Sequence, residues 1–126
     1  MRPRAIGKQL DHMRCQVRRD ELETPASLVD VVRYQTGAVV SQALVKEKGG
    51  TVTAFAFDAG EGLSEHTAPF DALVLALDGW ATVTVAGIAH TMHAGQIIRL
   101  PADIPHAIQA DEPFKMLLVM MRKSAN

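Results

Sequence analysis

Cysteine is almost missing from this chain of 126 residues, and the lone Cys15 excludes an internal disulfide and any cluster of thiolate metal ligands. Its expected role is that of a small, partly buried apolar residue. An excess of either charge is also missing. Lys and Arg number 13 against 14 Asp and Glu, for a net charge of −1, which removes the electrostatic case for a nucleic-acid partner. Residues 1–24 hold six basic and four acidic side chains and the rest seven and ten, an asymmetry too small for a nucleic-acid tail. Long hydrophobic runs are missing as well. Stretches such as Ala72 to Leu77 are far too short to span a bilayer, and no signal-peptide pattern opens the chain. The expectation is a cytoplasmic protein with no membrane partner. No internal repeat or low-complexity segment is found.

What is present suits one domain with a real core, since 48% of the residues are apolar and the length is sufficient to bury them. The first 24 residues read differently from the rest. Ile6, Leu10, Met13 and Val17 recur at helical spacing, opposite Lys8, Asp11, Arg14, Arg18 and Arg19, which predicts an amphipathic arm that packs on its own barrel or on a second copy. Residues 1–24 are therefore expected as a helical extension and 25–126 as the main domain. Thr24-Pro25 restarts the chain, with at most a helical turn from Leu28 to Val32.

Beyond Val39 the signals are those of strands. Ala38 to Val45 and Thr51 to Phe57 flank Glu47-Lys48-Gly49-Gly50, a connection suited to a hairpin. Further strands are expected at Leu73 to Leu77, Ala81 to Val85, Ile88 to Met92, Gln96 to Leu100, His106 to Gln109 and Phe114 to Met121. Thr82-Val83-Thr84-Val85 alternates as a strand with one wet face does. Asp78-Gly79 is a hairpin signal at a point that needs positive φ. Short strands separated by frequent turns predict an all-β sandwich or barrel.

Two constellations carry the chemistry. Gly60 is followed by His66 and then Gly79, and Gly95 is followed by Pro101, Pro105 and His106. Each constellation brings one histidine to a strand edge, which makes a shared pocket the first hypothesis. Pro101 and Pro105 bracket a short rigid connection that fixes the entry angle of the strand beginning at His106. This pattern resembles the cupin superfamily. Gly60, His66 and Gly79 match that family's first motif, and Gly95, Pro101 and His106 its second. The chain departs from the motifs at Ala68, Ala72, Asp103 and Ala110, where the family has histidine, glutamate, glycine and asparagine. The resemblance spans about residues 35–121. It implies a double-stranded β-helix, the jelly-roll cupin barrel, with a short N-terminal helical extension.

The resemblance also implies a ligand site at His66 and His106, which retain two of the family's usual four metal ligands. Protein metal sites generally use three or more donors. Asp71 is the expected third donor, provided that a bulge at Pro69-Phe70 turns it inward, with Glu65 and Glu61 as loop alternatives. Phe57 and Met116 are expected to line the ligand pocket beside the two histidines, although core packing is the simpler role for large apolar side chains. His90 and His93 are read as surface or core-edge residues, His12 as solvated, and Trp80 as exposed or at an interface. The favoured function is binding of a small polar ligand in the barrel, with one weakly held divalent metal (Zn, Ni, Fe or Mn) at His66 and His106. The alternative is a metal-dependent small-molecule enzyme of dioxygenase, isomerase or decarboxylase type. A third reading, the sensory half of a regulator, lacks a helix-turn-helix companion. Acid–base turnover by the two imidazoles without an ion stays open. A homodimer is expected, because a barrel of this length leaves an apolar sheet face for a partner to cover.

Overall fold

The computed structural model describes residues 22–122; the arm expected over 1–24 lies, apart from its last three residues, outside them. Leu28–Asp30 form a single 3-10 turn. Nine strands follow: β1 (Val39–Glu47), β2 (Gly50–Phe57), β3 (Gly62–His66), β4 (Asp71–Asp78), β5 (Trp80–Val85), β6 (Ile88–His93), β7 (Ile97–Leu100), β8 (His106–Gln109) and β9 (Phe114–Met121). They make two antiparallel sheets, ordered β1-β2-β9-β4-β7 and β3-β8-β5-β6. This is the jelly-roll barrel.

Alternation of side chains along each strand decides which residues meet inside. In β4, Ala72, Val74 and Ala76 are buried while the leucines between them are not. In β5, Ala81 and Val83 are buried while Thr82 and Thr84 face outward. The barrel interior is closed at one end by Phe57, Phe114 and Met116, all fully buried, with Phe57 packed on Phe114 at a centroid distance of 5.9 Å. A second cluster covers the outer face of the five-stranded sheet, where Val31 and Val32 pack on Val40, Leu44, Ala54 and Ala56.

Lys115 fastens this covering segment to the sheet. Its ammonium, in a residue only 8% exposed, donates to the Val29 carbonyl at 2.5 Å and lies 4.8 Å from the centre of the Tyr34 ring. Burial lowers its pKa from the ordinary value, against the pull of the Asp78 and Asp30 carboxylates. Tyr34 in turn donates its hydroxyl to Asp78. Burial and that carboxylate hold the phenol above its ordinary pKa.

Two connections refine the expectations from sequence. The β1–β2 hairpin turns through Lys48-Gly49, with Glu47 opposite Gly50. Asp78-Gly79, by contrast, joins strands of different sheets and is no hairpin. The expected positive φ is there, at 75°. A β-carbon at Gly79 would also collide with the Pro113 carbonyl oxygen. The glycine thus serves a crossing between sheets, where the chain passes close to the segment entering β9.

Candidate functional site

The strand that carries His66 owes its register to a defect. Leu63 in β3 is opposite Ile108 in β8, and His66 is opposite His106, so three steps on one strand match two on the other. That is a one-residue bulge at Ser64-Glu65. Without it His66 would point away from the interior that Leu63 faces, because a shift of one residue reverses the face. The bulge therefore turns His66 to the same side as His106. Their ring centroids are 4.4 Å apart, the planes inclined at 68° in an edge-to-face contact.

Both rings are anchored by their own strands. His66 Nδ1 is 2.7 Å from the Ser64 carbonyl oxygen, and His106 Nδ1 is 3.2 Å from that of Ile104. A carbonyl oxygen only accepts, so each Nδ1 carries a proton, and the neutral form of either ring has its lone pair on Nε2. The bulge and the Pro105 entry supply these two carbonyls, and neither is apparent from residue type. His106 is 9% exposed, and burial chiefly lowers its pKa, with the neighbouring His66 acting in the same sense and the Ile104 carbonyl opposing. At neutral pH His106 is an uncharged acceptor. His66 is exposed, at the rim.

The pair sits at the open end of the barrel. Ala102 N donates to Asp71 Oδ1 at 2.9 Å and Asp103 N to the Ala68 carbonyl at 2.8 Å, which ties the segment leading into His106 to the start of β4, beside Met120. Strand β9 is the central strand of its sheet, yet its inward residues Leu118 and Met120 are only half-buried. Solvent therefore reaches these two side chains, while Ala72 and Leu100, level with Met120, stay buried. Asp103 occupies the position of the motif's inner glycine and adopts φ of 64°, which aspartate tolerates better than most residues.

The other residues expected at the site are placed elsewhere. Asp71 follows the regular register, opposite Met121, with Ala72 facing inward and 4% exposed, so Asp71 faces outward and is not turned into the barrel. Its carboxylate caps the Ala102 N–H instead. Phe57 and Met116 are fully buried at the closed end of the core and form the floor beneath the mouth, not its lining. His90 and His93 are exposed on β6, with the His93 ring 6.4 Å from that of Trp80. Among the described residues no three His, Cys, Asp or Glu side chains converge to hold an ion. The donor set fits two imidazoles sharing one ligand group, and it does not fit a metal centre complete in protein donors.

Comparison with other proteins bears on this architecture. The cupin-domain family model matches residues 54–120, which include both histidines. A conserved protein of unknown function from Streptococcus pyogenes has the same fold at 33% identity and a TM-score of 0.80, over 87% of this chain and 96% of that one. A cupin superfamily protein from Desulfitobacterium hafniense is 29% identical, with a TM-score of 0.77, over 80% and 93% of the two chains. A cupin 2 conserved barrel domain protein from Leptotrichia buccalis is 43% identical with a TM-score of 0.73; the match covers 75% of this chain but only 46% of that one. No curated protein matches the sequence. The match to the family over most of the barrel, together with the two-sheet jelly roll and the paired motif histidines, establishes that the chain belongs to the cupin superfamily.

Proposed function

We propose that this cupin binds a small molecule in the open end of its barrel, with His66 and His106 gripping the ligand's polar group. One observation carries the reading: both Nδ1 atoms are committed to main-chain carbonyls, and the two rings are in contact across the β3–β8 pair. That leaves Nε2 of each ring as the acceptor on two side chains that lie side by side. Uncommitted acceptors side by side serve a donor that is not part of the chain.

A divalent ion such as Zn, Ni, Fe or Mn would find two imidazole donors here, and its remaining positions would fall to water or to the ligand itself. Such an ion is held weakly. The test is metal analysis of untagged purified protein together with crystallographic density in the barrel. The reading expects far less than one ion per chain after dialysis, and density for a small molecule or ordered solvent against the two Nε2 atoms. One tightly retained ion per chain would overturn it in favour of a metal-dependent enzyme.

A further inference from the structure

The inward-facing positions of all nine strands can be followed through the strand registers. From the five-stranded sheet they run from the level of Thr51, Met120, Ala72 and Leu100, through that of Leu118, Val74 and Ile98, down to that of Phe55, Met116 and Ala76. The four-stranded sheet contributes Leu63, Val85, Val83 and Ile108 with the two site histidines. His90 also falls on the inward side by register, but it is exposed. Lys46 is the one charged residue that shares this side. It lies exposed at the tip of the β1–β2 hairpin, on an edge strand. No other described strand residue on the inward face carries a carboxylate, an ammonium or a guanidinium.

That absence has a chemical consequence. A carboxylate or phosphate entering an apolar mouth loses water, and the one ammonium on its side, that of Lys46, stands exposed on an edge strand where water screens it. An ammonium finds no carboxylate on the described inward strand faces. Asp71, the carboxylate expected as a third donor, faces outward and is engaged by the Ala102 N–H. Two imidazoles whose Nδ1–H groups are taken by main-chain carbonyls offer Nε2 as an acceptor, which selects a hydrogen-bond donor. Val85 beside His106 and the half-buried Leu118, Met120 and Ile98 on the inward face of the other sheet select an apolar body. One further polar point is neutral too: the Thr51 hydroxyl, buried and without a hydrogen-bond partner, on the strand next to Met120.

Building on the ligand-binding reading above, we infer that the ligand is an uncharged, largely apolar molecule with a hydroxyl or N–H head group, which the imidazole pair receives by accepting its proton in a hydrogen bond. Sugars, with a polar group on nearly every carbon, and acids, with a full negative charge, both fit this mouth less well.

The experiment uses the full chain, stripped of metal with chelator, with methyl groups of Leu, Met and Ile isotopically labelled. Phenol, toluene, benzoate, benzylammonium and glucose are titrated at neutral pH, and the methyl shifts give both location and affinity. Phenol is expected to shift Met120, Leu118 and Ile98 and to bind roughly five- to tenfold more tightly than toluene, the difference that one net hydrogen bond makes. Benzoate, benzylammonium and glucose should bind at least about tenfold more weakly than phenol, as unpaired charge or surplus polar groups in an apolar site require. His106→Leu should abolish the preference for phenol over toluene and leave toluene binding in place, which shows that the variant is folded. If benzoate, benzylammonium or glucose shifts the same methyls as tightly as phenol does, the ligand-class inference fails while the site survives. If no compound shifts these methyls, or if the phenol preference persists in His106→Leu, the site assignment itself fails and the inference falls with it.

Discussion

Replacement of Gly79 by alanine tests how the two sheets are joined, and the local geometry sets its cost. Two penalties add at this position. The φ of 75° is left-handed, which costs a residue with a β-carbon about 1–2 kcal/mol. The new methyl would also be forced into the Pro113 carbonyl oxygen, and displacing main chain in a packed region costs roughly 1–3 kcal/mol more. Alanine returns about 0.4–1 kcal/mol by restricting the unfolded chain. The net loss centres on about 3 kcal/mol, with the terms together spanning roughly 1–5 kcal/mol. Gly95 supplies the control, because its φ is 92° but nothing lies within 4 Å of the point where a β-carbon would stand; Gly95→Ala should lose only about 1 kcal/mol. For a domain of this size each kcal/mol moves the melting temperature by about 4 °C. Thermal unfolding followed by circular dichroism should therefore show a fall of about 12 °C for Gly79→Ala and about 4 °C for Gly95→Ala. Equal falls for the two variants would mean that backbone conformation alone sets the cost, and that the close approach to Pro113 carries none of it.

Further outcomes follow from the site and from the covering segment. The His106 ring should titrate below the ordinary imidazole value of 6.5, read from its carbon-bound proton resonances. Because its folded pKa is the lower one, the unfolded chain binds more protons between that value and 6.5, so stability should rise with pH across this window and fall on acidification through it. A titration midpoint above 6.5 would contradict the burial argument. Asp71→Ala should leave the Ala102 N–H without its carboxylate partner and weaken ligand binding severalfold through the segment that positions His106, while hydrogen exchange at Ala102 accelerates; unchanged exchange would show that the cap is dispensable. Lys115→Met removes the donor to the Val29 carbonyl and should cost about 1–3 kcal/mol, with faster hydrogen exchange confined to residues 28–34. Val119, Leu73, Leu75 and Ile97 are linked by register across the part of the five-stranded sheet's outer face outside the Val31–Val32 cluster, whereas Thr82, Thr84, Thr91 and Gln109 make the other sheet's outer face polar. Light scattering at micromolar concentration should accordingly give a dimer mass, reduced to a monomer by Leu73→Lys; a monomer in the unaltered protein would contradict the pairing of these faces.

Most of the strands could be read from the sequence because their alternation and their glycine or proline boundaries are local. Strand β3 could not. Gly62–His66 is an exposed edge strand interrupted by a bulge, so it shows neither an apolar run nor a regular period. The assignment of strands to sheets was equally hidden, and Asp78-Gly79 misled for that reason: the same dipeptide that turns a hairpin also suits a crossing in which a carbonyl approaches. At the site, motif spacing was enough to bring His66 and His106 forward. The bulge at Ser64-Glu65 that turns His66 inward has no signal in residue type, whereas Pro69-Phe70, where proline advertises an irregularity, does not bring Asp71 inward. Asp71 then lost its expected place for the simplest reason, that a regular strand keeps it one step out of phase with Ala72.

Nitrogen-15 spectra of the imidazole side chains give the sharpest check on the paired-histidine site. Around neutral pH, His66 and His106 should both be protonated at Nδ1, and both Nε2 resonances should move together when phenol is added, while those of His90 and His93 stay in place. Protonation at Nε2 in either site ring, or a phenol response confined to the β6 histidines, would contradict the assignment of this pair as the ligand seat.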